Sequence, residues 1–110
     1  MGLELLNEQI RTRSTRDEAA RLRTREVLRC ELARLVPGHR VWLYGSITKA
    51  KRFHEWSDVD LAFETDPIRP SLLTLMGLLR ESLGREVDIA ILGETRLKEK
   101  IVREGELWTV

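Results

Sequence analysis

Three aspartates stand where a polypeptide gains little structural benefit from them. Asp58 and Asp60 are two positions apart in DVDLAFE (58–64), and Asp88 interrupts the apolar run EVDIAIL (86–92). Asp is disfavoured in strands, and strand residues two apart project from one face with Cα atoms roughly 7 Å apart. Two carboxylates brought to ~4 Å at an effective dielectric near ~20 repel by about 4 kcal/mol. A cation would offset that cost. By alternation Val59, Leu61 and Phe63 point one way, and Asp58, Asp60, Ala62 and Glu64 the other. Asp88 shares its face with Ala90 and Leu92. If the two strands are neighbours, Asp88 sits beside Asp60. Each aspartate alone reads equally well as a surface residue of a half-exposed strand; their common placement favours a site. An all-oxygen trio lacking His and Cys selects Mg²⁺ or Mn²⁺ over Zn²⁺. It suits two-metal chemistry at a phosphate ester.

A second group lies upstream. Gly45-Ser46 closes the apolar run VWLY (41–44), and a basic connection, ITKAKRFHEWS (47–57), follows. Glycine permits close approach of backbone to a phosphate. The amides of such a turn and the Ser46 hydroxyl can hold outer phosphates. Lys49, Lys51 and Arg52 could neutralise a triphosphate or its leaving group. Alone, the dipeptide reads as an ordinary strand-ending turn; the aspartates downstream shift the balance.

The elements that must position these groups alternate between helix and strand, which predicts an α/β (α+β) domain with a small mixed sheet flanked by helices. A helix is expected over about 15–36, with Thr15 and Glu18 at capping-box spacing. Its apolar stripe would be Ala19, Leu22, Val27, Leu28, Leu32 and Leu35, ending at Pro37-Gly38. Leu3, Leu5, Leu6 and Ile10 suggest a shorter, separate helix before it. Strands are expected at 41–44, 58–64 and 86–92. A helix over 70–83 would take Pro70 in its first turn and Gly84 as its cap. A last helix over 94–103 and an edge strand in ELWTV complete the pattern.

A length of 110 residues fits a single domain, 1–110, with an N-terminal helical extension over about 1–36. Apolar residues make up 42% and charged ones 34%, a soluble globular balance without any run near the ~20 residues of a membrane span. The acid-bearing start MGLELLNEQIRTRS does not read as a signal peptide. One cysteine, Cys30, excludes an intramolecular disulfide, and these features together lead us to expect a cytoplasmic protein. Residues 1–40 carry nine arginines against six acids, and residues 41–110 ten basic against twelve acidic groups. The net charge of +1 argues against strong direct nucleic-acid binding. The arginine-rich helix reads first as a solvated face and second as a partner or RNA surface.

Tyr44-Gly45-Ser46 followed by Ser57-Asp58-Val59-Asp60-Leu61 resembles the GS…DxD signature of the DNA-polymerase-β-like nucleotidyltransferases. The small size, the third acid in EVDIAIL and the ending LKEKIVREGELW resemble the minimal nucleotidyltransferase (MNT) branch over roughly residues 25–110. The resemblance implies a polymerase-β-like core and an antitoxin paired with an all-helical HEPN ribonuclease toxin. It implies transfer of AMP from ATP, with Mg²⁺ (or Mn²⁺), to a toxin tyrosine. By position, Gly45, Ser46 and the nearby Lys49 would bind the nucleotide. Asp58 and Asp60 would hold metal, and Asp88 would complete the metal site and help deprotonate the acceptor. Two features depart from the pattern. Eleven residues separate Ser46 from Asp58, one more than is usual there, and Lys49-Ala50 stands where an Arg-Gly pair is usual. Lysine keeps the charge but loses the guanidinium fork. An antitoxin that neutralises by binding alone is the alternative, and a small-molecule nucleotidyltransferase would need an acceptor domain that this length does not supply.

Other residues read as structural. His39 and His54 are expected in solvent-facing loops, His54 or Trp56 at the mouth of the site, Cys30 in helix packing, and Trp42 and Trp108 in core or edge packing. Arg34 and His39 share an R-x₄-H spacing with HEPN toxins, but they span a helix end and a turn. A cleft on so small a domain is expected to be shallow, which points to a hetero-oligomer whose partner supplies the acceptor.

Overall fold

A computed structural model describes residues 2–110. Its order is α1 (Gly2–Leu35), β1 (Arg40–Tyr44), a 3₁₀ turn (Gly45–Thr48), β2 (Val59–Phe63), α2 (Leu72–Leu83), β3 (Val87–Ile91), a second 3₁₀ turn (Leu92–Glu94), α3 (Lys98–Glu104) and β4 (Glu106–Thr109). The strands form one sheet in the order β3-β2-β1-β4. β1 pairs antiparallel with both β2 and β4, whereas β2 and β3 run parallel and are joined through α2. Parallel neighbours need such a crossover, because a tight turn cannot return the chain in the same direction. The architecture is mixed α/β, as the alternation predicts.

The sheet has two unlike faces. Val41, Leu43, Val59, Leu61, Phe63, Val87 and Ile89 pack with Leu28 and Leu32 of α1 and Leu75 and Leu79 of α2 into the main core. The other face is smaller: Ala62, Leu92 and Ile101 are buried there with Trp42 and Tyr44 against them. α3 covers only part of this second face. A cleft is left beside it.

α1 corrects two expectations. It is one helix of 34 residues rather than two. No glycine or proline interrupts positions 3–36, so nothing stops propagation. The Thr15 hydroxyl donates to the Arg11 carbonyl within the helix instead of capping an amide, and Glu18 pairs with Arg21. Only Thr24, Leu28 and Leu32 are buried along it, while residues 2–16 are all exposed. Leu22 (53% exposed), Ala19 and Cys30 therefore lie off the packed face, and Cys30 is a free, exposed thiol. The stripe at 24, 28 and 32 runs at i, i+4, i+8 and includes a threonine, which an apolar pattern passes over.

α2 starts later than predicted. Ser71 is its N-cap, accepting from the Thr74 amide at 3.3 Å, so Pro70 precedes the cap instead of occupying the first turn. Gly84 closes the helix at φ +66°, the left-handed cap that glycine adopts without strain. α3 begins at Lys98, because Glu94 closes the 3₁₀ turn after β3 and the backbone is extended at Thr95 before turning at 96–97. β4 is the anticipated edge strand. His39 is half-buried, its ring 6.1 Å from that of Phe63, so it is not the solvent-facing residue expected; His54 is exposed. Trp108 is buried beneath the guanidinium groups of Arg25 and Arg29, and Trp42 is half-buried and donates to Glu64. No helix among the described residues is long and apolar enough to cross a membrane.

Candidate functional site

The parallel register puts Asp60 directly opposite Asp88, and the antiparallel register puts Tyr44 opposite Asp60. Tyr44, Asp60 and Asp88 thus form a row across three strands on one face of the sheet. Asp60 is half-buried and Asp88 exposed on the edge strand. Asp60 has its carboxyl held above the ordinary aspartate range, first by burial and then by the charges of Asp88 and Asp58. The Tyr44 hydroxyl is pushed up to about 12 by burial and by Asp60 and Asp88. Both shifts arise first from burial and then from neighbouring negative charge, so a cation placed beside Asp60 would relieve them.

Asp58 has a different setting. It precedes β2, is exposed, and borders a shallow depression with Trp56, Arg80 and Arg85. Among the described residues no three His, Cys, Asp or Glu side chains stand as a ready-made metal-ligand set. The fold gathers two carboxylates and leaves the third close enough to be felt. The donor chemistry is nonetheless that of a hard divalent cation.

Gly45 occupies the end of β1 at φ +78°, and a Cβ there would lie 2.7 Å from Asp60 Oδ2. Only glycine accepts both that backbone angle and that carboxylate. The 3₁₀ turn it opens is tied locally by the Thr48 hydroxyl donating to the Gly45 carbonyl (2.7 Å) and the Lys49 amide donating to the Ser46 carbonyl (3.0 Å). Gly45, Ser46 and Thr48 form one wall of a cleft of about 360 Å³, continued by Lys49 and Arg52, with Tyr44 and Asp60 facing it. Leu97, Lys100, Ile101 and Glu104 form the rest of its lining. Of the basic residues singled out in the loop, Lys49 and Arg52 line this cleft. Lys51 instead borders a groove beside Leu6 and Ile10 of α1.

The sequence pattern missed several contributors. Arg21 of α1 donates to the Ile47 carbonyl at 2.8 Å while holding Glu18, and so anchors the 3₁₀ turn from behind. Arg85 donates to the Ser57 carbonyl at 2.8 Å and the His54 carbonyl at 3.2 Å, with its guanidinium 4.3 Å from the Phe53 ring. It fixes the loop that leads into Asp58. Both contacts join residues more than twenty positions apart, which no local spacing encodes. The arginines of α1 are accordingly more than a solvated face: Arg21, Arg25 and Arg29 tie the helix to the turn, to Glu106 and to Trp108. Lys100 and Glu104 were likewise invisible as cleft residues until α3 was packed on the sheet.

A scan against protein-family models finds no match to the sequence, and a search of curated proteins finds none either. Among solved structures the chain is similar to one described as a crystal structure of a toxin-antitoxin with AMP-PNP. The TM-score is 0.62 at 22% identity, over 77% of this chain and 73% of that one. The likeness establishes a shared mixed α/β fold.

Proposed function

We propose that this chain is a metal-dependent nucleotidyltransferase acting as the antitoxin of a toxin–antitoxin pair, moving AMP from ATP to a tyrosine hydroxyl of a HEPN-type ribonuclease partner. The observation that carries the reading is the in-register pairing of Asp60 with Asp88 beside the Gly45-Ser46 turn. The fold shared with a toxin-antitoxin structure containing AMP-PNP supports it, as does the GS…DxD pattern. Asp58, Asp60 and Asp88 would hold Mg²⁺ or Mn²⁺, with Asp58, exposed and ahead of the strand, free to complete the set. Bound there, the cation would supply charge neutralisation at the reacting phosphate. Gly45 and Ser46 receive the outer phosphates, and Lys49 and Arg52 balance their charge. Asp88, the most accessible carboxylate of the row, takes the proton of the acceptor hydroxyl. The oxygen then bonds to the α-phosphorus, the bond to pyrophosphate breaks, and pyrophosphate departs.

The test uses labelled ATP, Mg²⁺ and a HEPN-type partner. Label should pass to the partner with the wild type and fall by about 1,000-fold or more with Asp60→Ala plus Asp88→Ala, the scale at which loss of a catalytic unit is felt. Equal labelling by both proteins would falsify the catalytic reading. A second reading, neutralisation by binding alone, is favoured by Lys49-Ala50 and by the two-carboxylate grouping. Under it, the double variant protects cells from the toxin as well as the wild type does.

A further inference from the structure

We propose that Lys100 grips the outer phosphates of the nucleotide from the α3 side of the cleft, so that the site selects nucleoside triphosphates over monophosphates. The inference rests on the nucleotide-binding reading above and names a residue that reading did not supply. Lys49, Arg52 and Lys100 all line the same cleft, and among the described residues none of them is in an ion pair. Every ion pair of the described residues is made by an arginine elsewhere. The cleft's own acids, Asp60 and Glu104, are fewer than its cations.

Lys100 and Glu104 have the i, i+4 spacing that commonly forms a helical ion pair, yet they are not paired here. Packing explains where they lie. Ile101 is 1% exposed and locked against the second sheet face, which fixes the rotation of α3 and leaves its neighbour Lys100 on the cleft margin. Lys98, on the same helix and also exposed, does not line the cleft. An ammonium carries three donors and acts as a point charge. A single phosphate held at the Gly45-Ser46 turn would not call for a third cation; a triphosphate would.

Isothermal titration of the full chain with AMP-PNP and with AMP, each in Mg²⁺, tests the assignment. Lys100→Ala should weaken AMP-PNP binding by about tenfold or more, as expected for losing a hydrogen bond to a charged group. Its effect on AMP should be less than about twofold, Lys100→Arg should retain most of the AMP-PNP affinity, and Lys98→Ala should match the wild type. Unchanged AMP-PNP affinity in Lys100→Ala overturns the proposal and leaves the nucleotidyltransferase reading standing, as does an equal loss for AMP and AMP-PNP. A wild type that binds neither nucleotide removes both.

Discussion

The row Leu43–Leu61–Ile89 and the row Tyr44–Asp60–Asp88 cross the same three strands one residue apart. The first is sealed between the sheet and two helices, with Leu43 and Leu61 fully buried. The second turns Tyr44 and Asp60 toward a cleft, and burial together with the charges of Asp88 and Asp58 holds the Asp60 carboxyl above the ordinary aspartate range. Side-chain alternation alone separates them. One face stabilises the fold through buried apolar area, and the other accepts electrostatic strain that a bound cation would relieve. The stability of the first permits the strain of the second.

If the two faces divide the labour in this way, substitutions on them should differ in kind. Leu61→Ala should cost about 2–5 kcal/mol, the range for a fully buried leucine, read as a lower urea midpoint with the slope unchanged. A cost under ~1 kcal/mol would mean that the sheet is not the centre of the core. At the boundary between the faces, Gly45→Ala should cost about 1–3 kcal/mol, because an L-residue is strained at that positive φ. The added methyl would also displace the Asp60 carboxylate, so nucleotide affinity should fall together with melting temperature; a fall in stability alone would detach Gly45 from the site.

A smaller and opposite effect is expected from Asp60→Asn. Since the folded-state pKa of Asp60 is raised, its proton contributes stability below the ordinary carboxylate range, and that contribution is lost as pH rises through the raised value. In chelator, Asp60→Asn should therefore melt higher than the wild type near neutral pH. The gap should close when the buffer is taken below the carboxylate range. A gap independent of pH would contradict the electrostatic origin of the strain. The smallest change belongs to Leu22→Ala, which should stay within about 0.5 kcal/mol because the residue is 53% exposed and lies off the packed face of α1.

α1 shows where sequence patterns fail. Thr15 and Glu18 have capping-box spacing, but capping requires the chain before Thr15 to be non-helical, and no residue there breaks the helix. Leu22 and Cys30 look like helix packing in a list of apolar positions, while the side that meets the sheet runs through Thr24, Leu28 and Leu32. Helix rotation is set by what lies beneath it. By contrast, the strands, the Gly84 cap and the edge strand at the C-terminus were legible, since each depends on neighbours within a few residues.

The local order of residues was enough to assign the helices and strands their approximate places, to put Asp60 within a strand with its side chain opposite to those of Val59 and Leu61, and to mark Gly45 as a residue whose backbone must turn. Those are short-range properties of alternation and dihedral preference. Asp58, expected on that same strand face, instead precedes β2. Only the folded chain decided that β2 and β3 pair in parallel with Asp60 against Asp88, that Asp58 borders a separate depression beside Arg85, and that Lys100 reaches the cleft. Register and helix rotation come from burying apolar surface contributed by segments far apart in the chain, and no single segment carries that information.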